Sequence, residues 1–151
     1  MKRLVSLLVV AALVLPLFPL TAQDAPAAPA AANLGFGIDE ATFKTVDAMI
    51  EKALTAYNAQ DPKAFYADFA KMMAAICTDQ AFETLYKTTY MTTYGKYKSR
   101  TYKADASTLA EGTGLFTYEA EFEKGKALIQ VNITKEENAL KIMQLAFSPA
   151  Q

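Results

Sequence analysis

Residues 114–134 read GLFTYEAEFEKGKALIQVNIT, and this stretch decides the fold class. Phe116, Tyr118, Ala120 and Phe122 recur at every second position, as do Ala127, Ile129, Val131 and Ile133. Alternation of period two is the signature of a strand with one buried face. Lys124-Gly125 lies between the two runs and suits a two-residue hairpin turn. Pairing Glu123 with Lys126 predicts Phe122 opposite Ala127, Ala120 opposite Ile129, Tyr118 opposite Val131 and Phe116 opposite Ile133. Each of these pairs falls on one apolar face. The other face carries Glu121 with Leu128, Glu119 with Gln130, and Thr117 with Asn132. A one-residue slip would mix the two faces, so the register is strongly specified.

Working outward, Glu136-Glu137-Asn138 suits a three-residue hairpin loop with Asn at its left-handed position. That loop places Val131 beside Met143, Ile129 beside Leu145 and Ala127 beside Phe147 on the apolar face. It puts Gln130 beside Gln144 on the outer face, with Ile142 also outside. A two-residue turn would swap the faces of this last strand, Leu140 to Phe147. Tyr97 to Ala104 is a polar run that tolerates β-structure, so the sheet is expected to hold about four strands.

Before the strands the period is helical. Phe43, Val46, Ile50, Ala53, Leu54 and Tyr57 fall on one face of a first helix, which Asp39 or Thr42 caps. Asp61-Pro62 opens a second helix with the stripe Phe65, Phe69, Met72, Met73 and Ile76. Thr78 caps a third, with Phe82, Leu85, Tyr86 and Tyr90 on its face and Gly95 as its stop. Threonine enrichment in Thr88 to Tyr94 lowers helix propensity and predicts fraying there. Helices followed by consecutive antiparallel strands make an α+β domain, with the helix stripes covering the apolar sheet face.

Lys2 and Arg3 followed by the uncharged apolar run Leu4 to Phe18, with Pro16 and Pro19 breaking it, read as a signal peptide ending near Ala22. Residues 23–35, rich in Ala and Pro, read as a linker, and 36–149 as the domain. The expectation is an exported protein, periplasmic or extracellular, with no membrane association once the leader is cleaved. Losing Lys2 and Arg3 moves the net charge from −1 to −3. Without a basic run or arginine cluster, nucleic acid is a poor partner. Cys77 is the only cysteine, which excludes an intramolecular disulfide and leaves the fold to its core. Its apolar surroundings mark it as a structural thiol.

Chemistry is sparse. There is no histidine, no glycine-rich phosphate loop and no ligand set for a metal, so neither cofactor nor metal is expected. Glu119, Glu121 and Glu123 share a strand face, where charge guards a sheet surface against aggregation. Asp47, Glu51 and Asp68 flank apolar helix stripes and read as solvated charges. Tyr57, Tyr86, Tyr90 and Tyr118 join the apolar surfaces. A phenol offers a ring to stack and a hydroxyl to orient a polar group, so these four are the candidate ligand-binding residues. Gln130, Asn132 and Gln144, with Leu115 and Leu128 nearby, give the outer sheet face a mixed character suited to a homodimer.

The segments Ala56-Tyr57-Asn58-Ala59-Gln60-Asp61, Pro62-Lys63-Ala64-Phe65, Phe122-Glu123-Lys124-Gly125 and the terminal Lys141 to Ala150 resemble the nuclear transport factor 2-like (cystatin-like) superfamily. More narrowly they resemble its small bacterial members in domain of unknown function 3887. The resemblance spans about Asp39 to Pro149. It implies a strongly curved sheet wrapped around helices, with a conical pocket between them and frequent pairing through the outer sheet face. Members include isomerases, dehydratases, polyketide cyclases and non-catalytic modules, so fold alone assigns no activity. Catalytic members typically place an Asp–His or Tyr–Asp arrangement in the pocket. This chain lacks histidine, and no Asp or Glu falls on its predicted apolar sheet face, so no catalytic residue is carried over. The resulting expectation is an exported, non-catalytic binding module for a small hydrophobic or aromatic molecule. Its alternatives are a lyase or isomerase using a pocket tyrosine and a carboxylate, and a structural dimer with a filled core.

Overall fold

A computed structural model describes residues 33–150. The leader expected at 1–22 and most of the 23–35 linker lie outside the described residues. The last linker positions, however, belong to the domain. Leu34 accepts a 2.6 Å hydrogen bond from the Tyr102 hydroxyl, and Phe36 bridges Thr108.

Helix α1 (Glu40–Ala59) starts where Asp39 accepts from Thr42 N, and it buries Val46, Ile50, Ala53, Leu54 and Tyr57. Gln60 ends it in the left-handed conformation, with φ of 58°. The sequence places the second helix start correctly: Asp61 caps α2 (Pro62–Phe65), with Pro at the first position. The helix does not run on to Ile76 as expected. After one turn the chain leaves the helical path so that Ala70 N reaches Ile142 O at 2.8 Å and Ile142 N reaches Asp68 O at 3.0 Å. These long-range backbone bonds replace the local ones that would have continued the helix. A 3-10 turn (Lys71–Met73) follows, and Met72 and Ile76 face solvent instead of a core.

Thr78 caps α3 (Asp79–Phe82), which passes into a π-helix (Glu83–Tyr90) and then α4 (Met91–Tyr94). The threonine-rich end does not fray. The rings of Tyr86, Tyr90 and Tyr94 lie 6.3, 4.8 and 6.2 Å from that of Phe147. On an α-helix, a four-residue spacing drifts around the axis, and the wider π turns counter that drift. All three tyrosines therefore stay on one partner. Gly95 closes the helix with φ of 75°, as expected, and a side chain there would collide with Glu123.

The sheet is antiparallel and curved without closing. It holds five strands rather than about four: β1 (Tyr97–Tyr102), β2 (Thr108–Ala110), β3 (Thr113–Phe122), β4 (Gly125–Glu136) and β5 (Ala139–Pro149). Their order is β1-β3-β4-β5, with the short β2 pairing β3 beyond β1.

The faces expected for the central hairpin are present, but its register is two residues tighter. Phe122 pairs with Gly125, Tyr118 with Ile129 and Phe116 with Val131. A Lys124-Gly125 turn needs positive φ at Lys124, whereas only Gly125 here has it, at 143°. Glu123 and Lys124 form the turn instead, and their backbone amides donate to Lys96 O and Tyr94 O. The second hairpin uses the two-residue turn, with Glu136 opposite Ala139 and Glu137 in the left-handed region. This brings Ile142 into the core opposite Ile133, correcting its expected outer position. A bulge at Met143 then switches the faces back, so Leu145 and Phe147 are buried opposite Val131 and Ile129. Gln144 consequently sits beside Asn132, not Gln130, and accepts from its amide at 3.1 Å.

Candidate functional site

The break after Phe65 and the Met143 bulge together shape an apolar groove. The segment after Ala70 swings away from the sheet and forms one wall with Met73, Ile76 and Cys77. Leu85 and Tyr86 come from the π-helix, and Ile133 and Met143 from β4 and β5. The groove holds about 810 Å³, and none of its lining residues carries a charge. Ile76 remains 62% exposed at its edge. Asn132, Gln144, Thr84 and Thr113 supply its polar points. Burial pushes the Cys77 thiol above its ordinary pKa, which keeps it protonated and a poor nucleophile. Burial, with smaller effects from Cys77 and Asp79, raises the nearby Tyr66 phenol to about 12.

The four tyrosines singled out from sequence do not converge on one cavity. Tyr57 is buried and donates to Gly95 O at 2.9 Å. Tyr86 donates to Leu145 O at 2.6 Å while its ring faces the groove. Tyr90 stacks on Phe147, with centroids 4.8 Å apart. Tyr57, Tyr86 and Tyr90 thus surround Phe147, and two of them tie helix to backbone. Tyr118 alone lines the second cavity.

That second cavity, about 450 Å³, opens between α1 and the edge of the sheet. Its centre is Arg100, which sequence reading passed over as one cation in a polar strand. Arg100 pairs across the ladder with Ala120, so its side chain points to the core face and is only 9% exposed. There it meets Asp47 and Glu51, one helical turn apart on α1. These carboxylates are therefore not the free solvated charges expected: both pair with the guanidinium. Burial works against the charge on Arg100, but hydrogen bonds to Asp47 and Glu51 outweigh it and hold its pKa above the ordinary arginine value. Asp68, the third flanking acid, pairs with Lys52 at 2.8 Å.

Tyr118 is 1% exposed, and its hydroxyl has no hydrogen-bond partner. Burial first, then the charge of Asp47, pushes its pKa upward. The guanidinium carbon of Arg100 stands 5.4 Å from the centre of the Tyr118 ring. On the outer face, Lys126 bonds Glu119 at 3.1 Å, and Thr117 is buried beneath Ser107 and Ala106. Among the described residues, no cluster of three or more potential metal ligands occurs, and no helix is long and apolar enough to cross a membrane.

No protein-family model matches the chain, and no curated protein matches it significantly.

Proposed function

We propose that this protein is an exported, non-catalytic binding module of the nuclear transport factor 2-like superfamily, which takes a small hydrophobic or aromatic molecule into the groove between the π-helix and the sheet. The observation that carries this reading is the uncharged lining of that groove together with its exposed apolar edge, Ile76 and Leu85. Apolar surface left open at a concave site gains most from a ligand that removes it from water. Asn132 and Gln144 at one end would orient a single uncharged polar group. Export rests on the charged, apolar and proline-broken leader.

The test uses the neutral fluorophore N-phenylnaphthylamine as a probe of the groove. Bound fluorescence should appear with the full chain and disappear in Ile76→Asp and Leu85→Glu, both at exposed positions that tolerate charge. Fluorescence unchanged in both variants would refute the groove as the binding site. Mass spectrometry of molecules that copurify with the exported protein would then identify its natural occupant. We also propose homodimerisation through Gln130, Asn132 and Gln144 on the outer sheet face; a wild type that sediments as a monomer at high micromolar concentration removes that idea.

An enzyme reading draws less support. Asp47 and Tyr118 line the same cavity and Asp47 raises the Tyr118 phenol, but Asp47 is engaged by Arg100 and Tyr118 is buried at 1% exposure, out of reach of a substrate.

A further inference from the structure

We infer that Tyr66 sets the specificity of the apolar groove, its hydroxyl donating to a neutral carbonyl oxygen on the occupant; this rests on the groove being the binding site, as proposed above. Tyr66 is the C-terminal cap of α2, at the point where the chain leaves the helical path, and it lines the groove. Its ring stands edge-on to four others, 5.1 Å from Phe65, 5.1 Å from Phe69, 6.2 Å from Phe82 and 6.4 Å from Tyr86. Such a setting fixes the ring before any ligand arrives, so little side-chain freedom is lost on binding.

Neighbouring polar groups are already engaged. Tyr86 donates to Leu145 O at 2.6 Å, and Thr84 donates to Gln80 O at 2.9 Å. At the exposed end of the groove, Asn132 and Gln144 bond to each other at 3.1 Å. Among the described residues the Tyr66 hydroxyl bonds to nothing, and unlike that of Tyr118 it is not sealed from solvent. With its pKa raised to about 12, the phenol keeps its proton across the ordinary pH range and remains a donor.

Charge decides which acceptor fits. No lining residue is ionised, and burial holds the Cys77 thiol beside Tyr66 above its ordinary pKa. The formal charge that reaches the Tyr66 oxygen is negative, from Asp79. Lys71 and Lys87, on the two helical walls, are taken by Glu137 at 3.1 Å and Glu83 at 2.7 Å. A carboxylate entering the groove would shed its water without gaining a counter-charge. A ketone, ester or amide carbonyl loses far less on leaving water, and one fixed donor satisfies it. The occupant is therefore a neutral carbonyl compound on an apolar body.

Three naphthalenes of similar shape test this on the full chain by displacement of N-phenylnaphthylamine: 2-acetylnaphthalene, 2-ethylnaphthalene and 2-naphthoate. Each is titrated against wild type and Tyr66→Phe, after dye affinity has been measured for both proteins. Phenylalanine keeps the ring contacts and removes a hydroxyl that bonds to nothing in the free protein, so thermal unfolding should be unchanged. The ketone should bind the variant about tenfold more weakly, the worth of one hydrogen bond, while the hydrocarbon binds both proteins equally. Naphthoate should compete poorly with either. The inference is overturned if Tyr66→Phe leaves ketone affinity unchanged, if it weakens ketone and hydrocarbon alike, or if naphthoate competes as well as the ketone. Dye that fails to bind the wild type removes the groove reading and the role of Tyr66 with it. Dye that binds, with ketone affinity equal in the two proteins, removes the role of Tyr66 alone.

Discussion

Arg100 shows how much one side chain decides. In sequence it is a cation within Tyr-Lys-Ser-Arg-Thr-Tyr, and nothing local distinguishes it from Lys98. The pleat turns it inward, and the carboxylates that make that position tolerable come from α1, more than forty residues earlier. An arginine buried on the core face would be costly without them. Arg100→Met keeps the aliphatic volume but leaves Asp47 and Glu51 unpaired. Because both carboxylates reach water, the loss should be about 1–3 kcal/mol, less than for a fully buried pair. Urea unfolding of the variant checks this, and a midpoint equal to wild type would show that the network contributes nothing.

At the scale of elements, β5 carries the clearest consequence of turn length. A three-residue loop would leave Ile142 in water, whereas the observed two-residue turn buries it against Ile133. Ile142→Ala should therefore cost about 2–5 kcal/mol, the range for emptying a core site. Gln144→Ala, just beyond the bulge on the exposed side, should stay within about 0.5 kcal/mol. Equal effects at the two positions would contradict the bulge. The same region explains why the second helix stops early. The bulge presents the Ile142 amide and carbonyl to Asp68 and Ala70, and the chain that answers them cannot also remain helical. One irregularity in β5 thus ends a helix and opens the apolar groove.

For the whole molecule, the tyrosines determine behaviour in alkali. Burial raises the pKa of Tyr57, Tyr86 and Tyr118 above the ordinary value of 10.0. A group whose folded pKa lies above its unfolded one favours the folded state while it keeps its proton. That stability is intact below pH 10 and is lost as the pH climbs beyond it, because the unfolded chain releases protons first. Ultraviolet titration should show these three phenolates appearing only with cooperative unfolding. Smooth ionisation of Tyr57, Tyr86 and Tyr118 before unfolding would contradict their burial.

Side-chain alternation, helix caps and the stop at Gly95 were legible in the sequence because each depends on residues a few positions apart. Asp39, Asp61 and Thr78 cap their own helices, and the apolar faces of β3 and β4 follow from the pleat alone. The amphipathic order of helices then strands is enough for an α+β fold. What lay beyond reach depended on distant partners. The two-residue shift in the central hairpin answers to carbonyls at Tyr94 and Lys96, and the bulge to the segment around Phe69. Tyr57 and Tyr86 became braces because carbonyls at Gly95 and Leu145 stood within reach. The apolar groove and the cavity around Arg100 arise in the same way, where backbone hydrogen bonds or buried charges found satisfaction far along the chain. A buried polar group must be paired wherever a partner exists, and only the tertiary structure decides where that is.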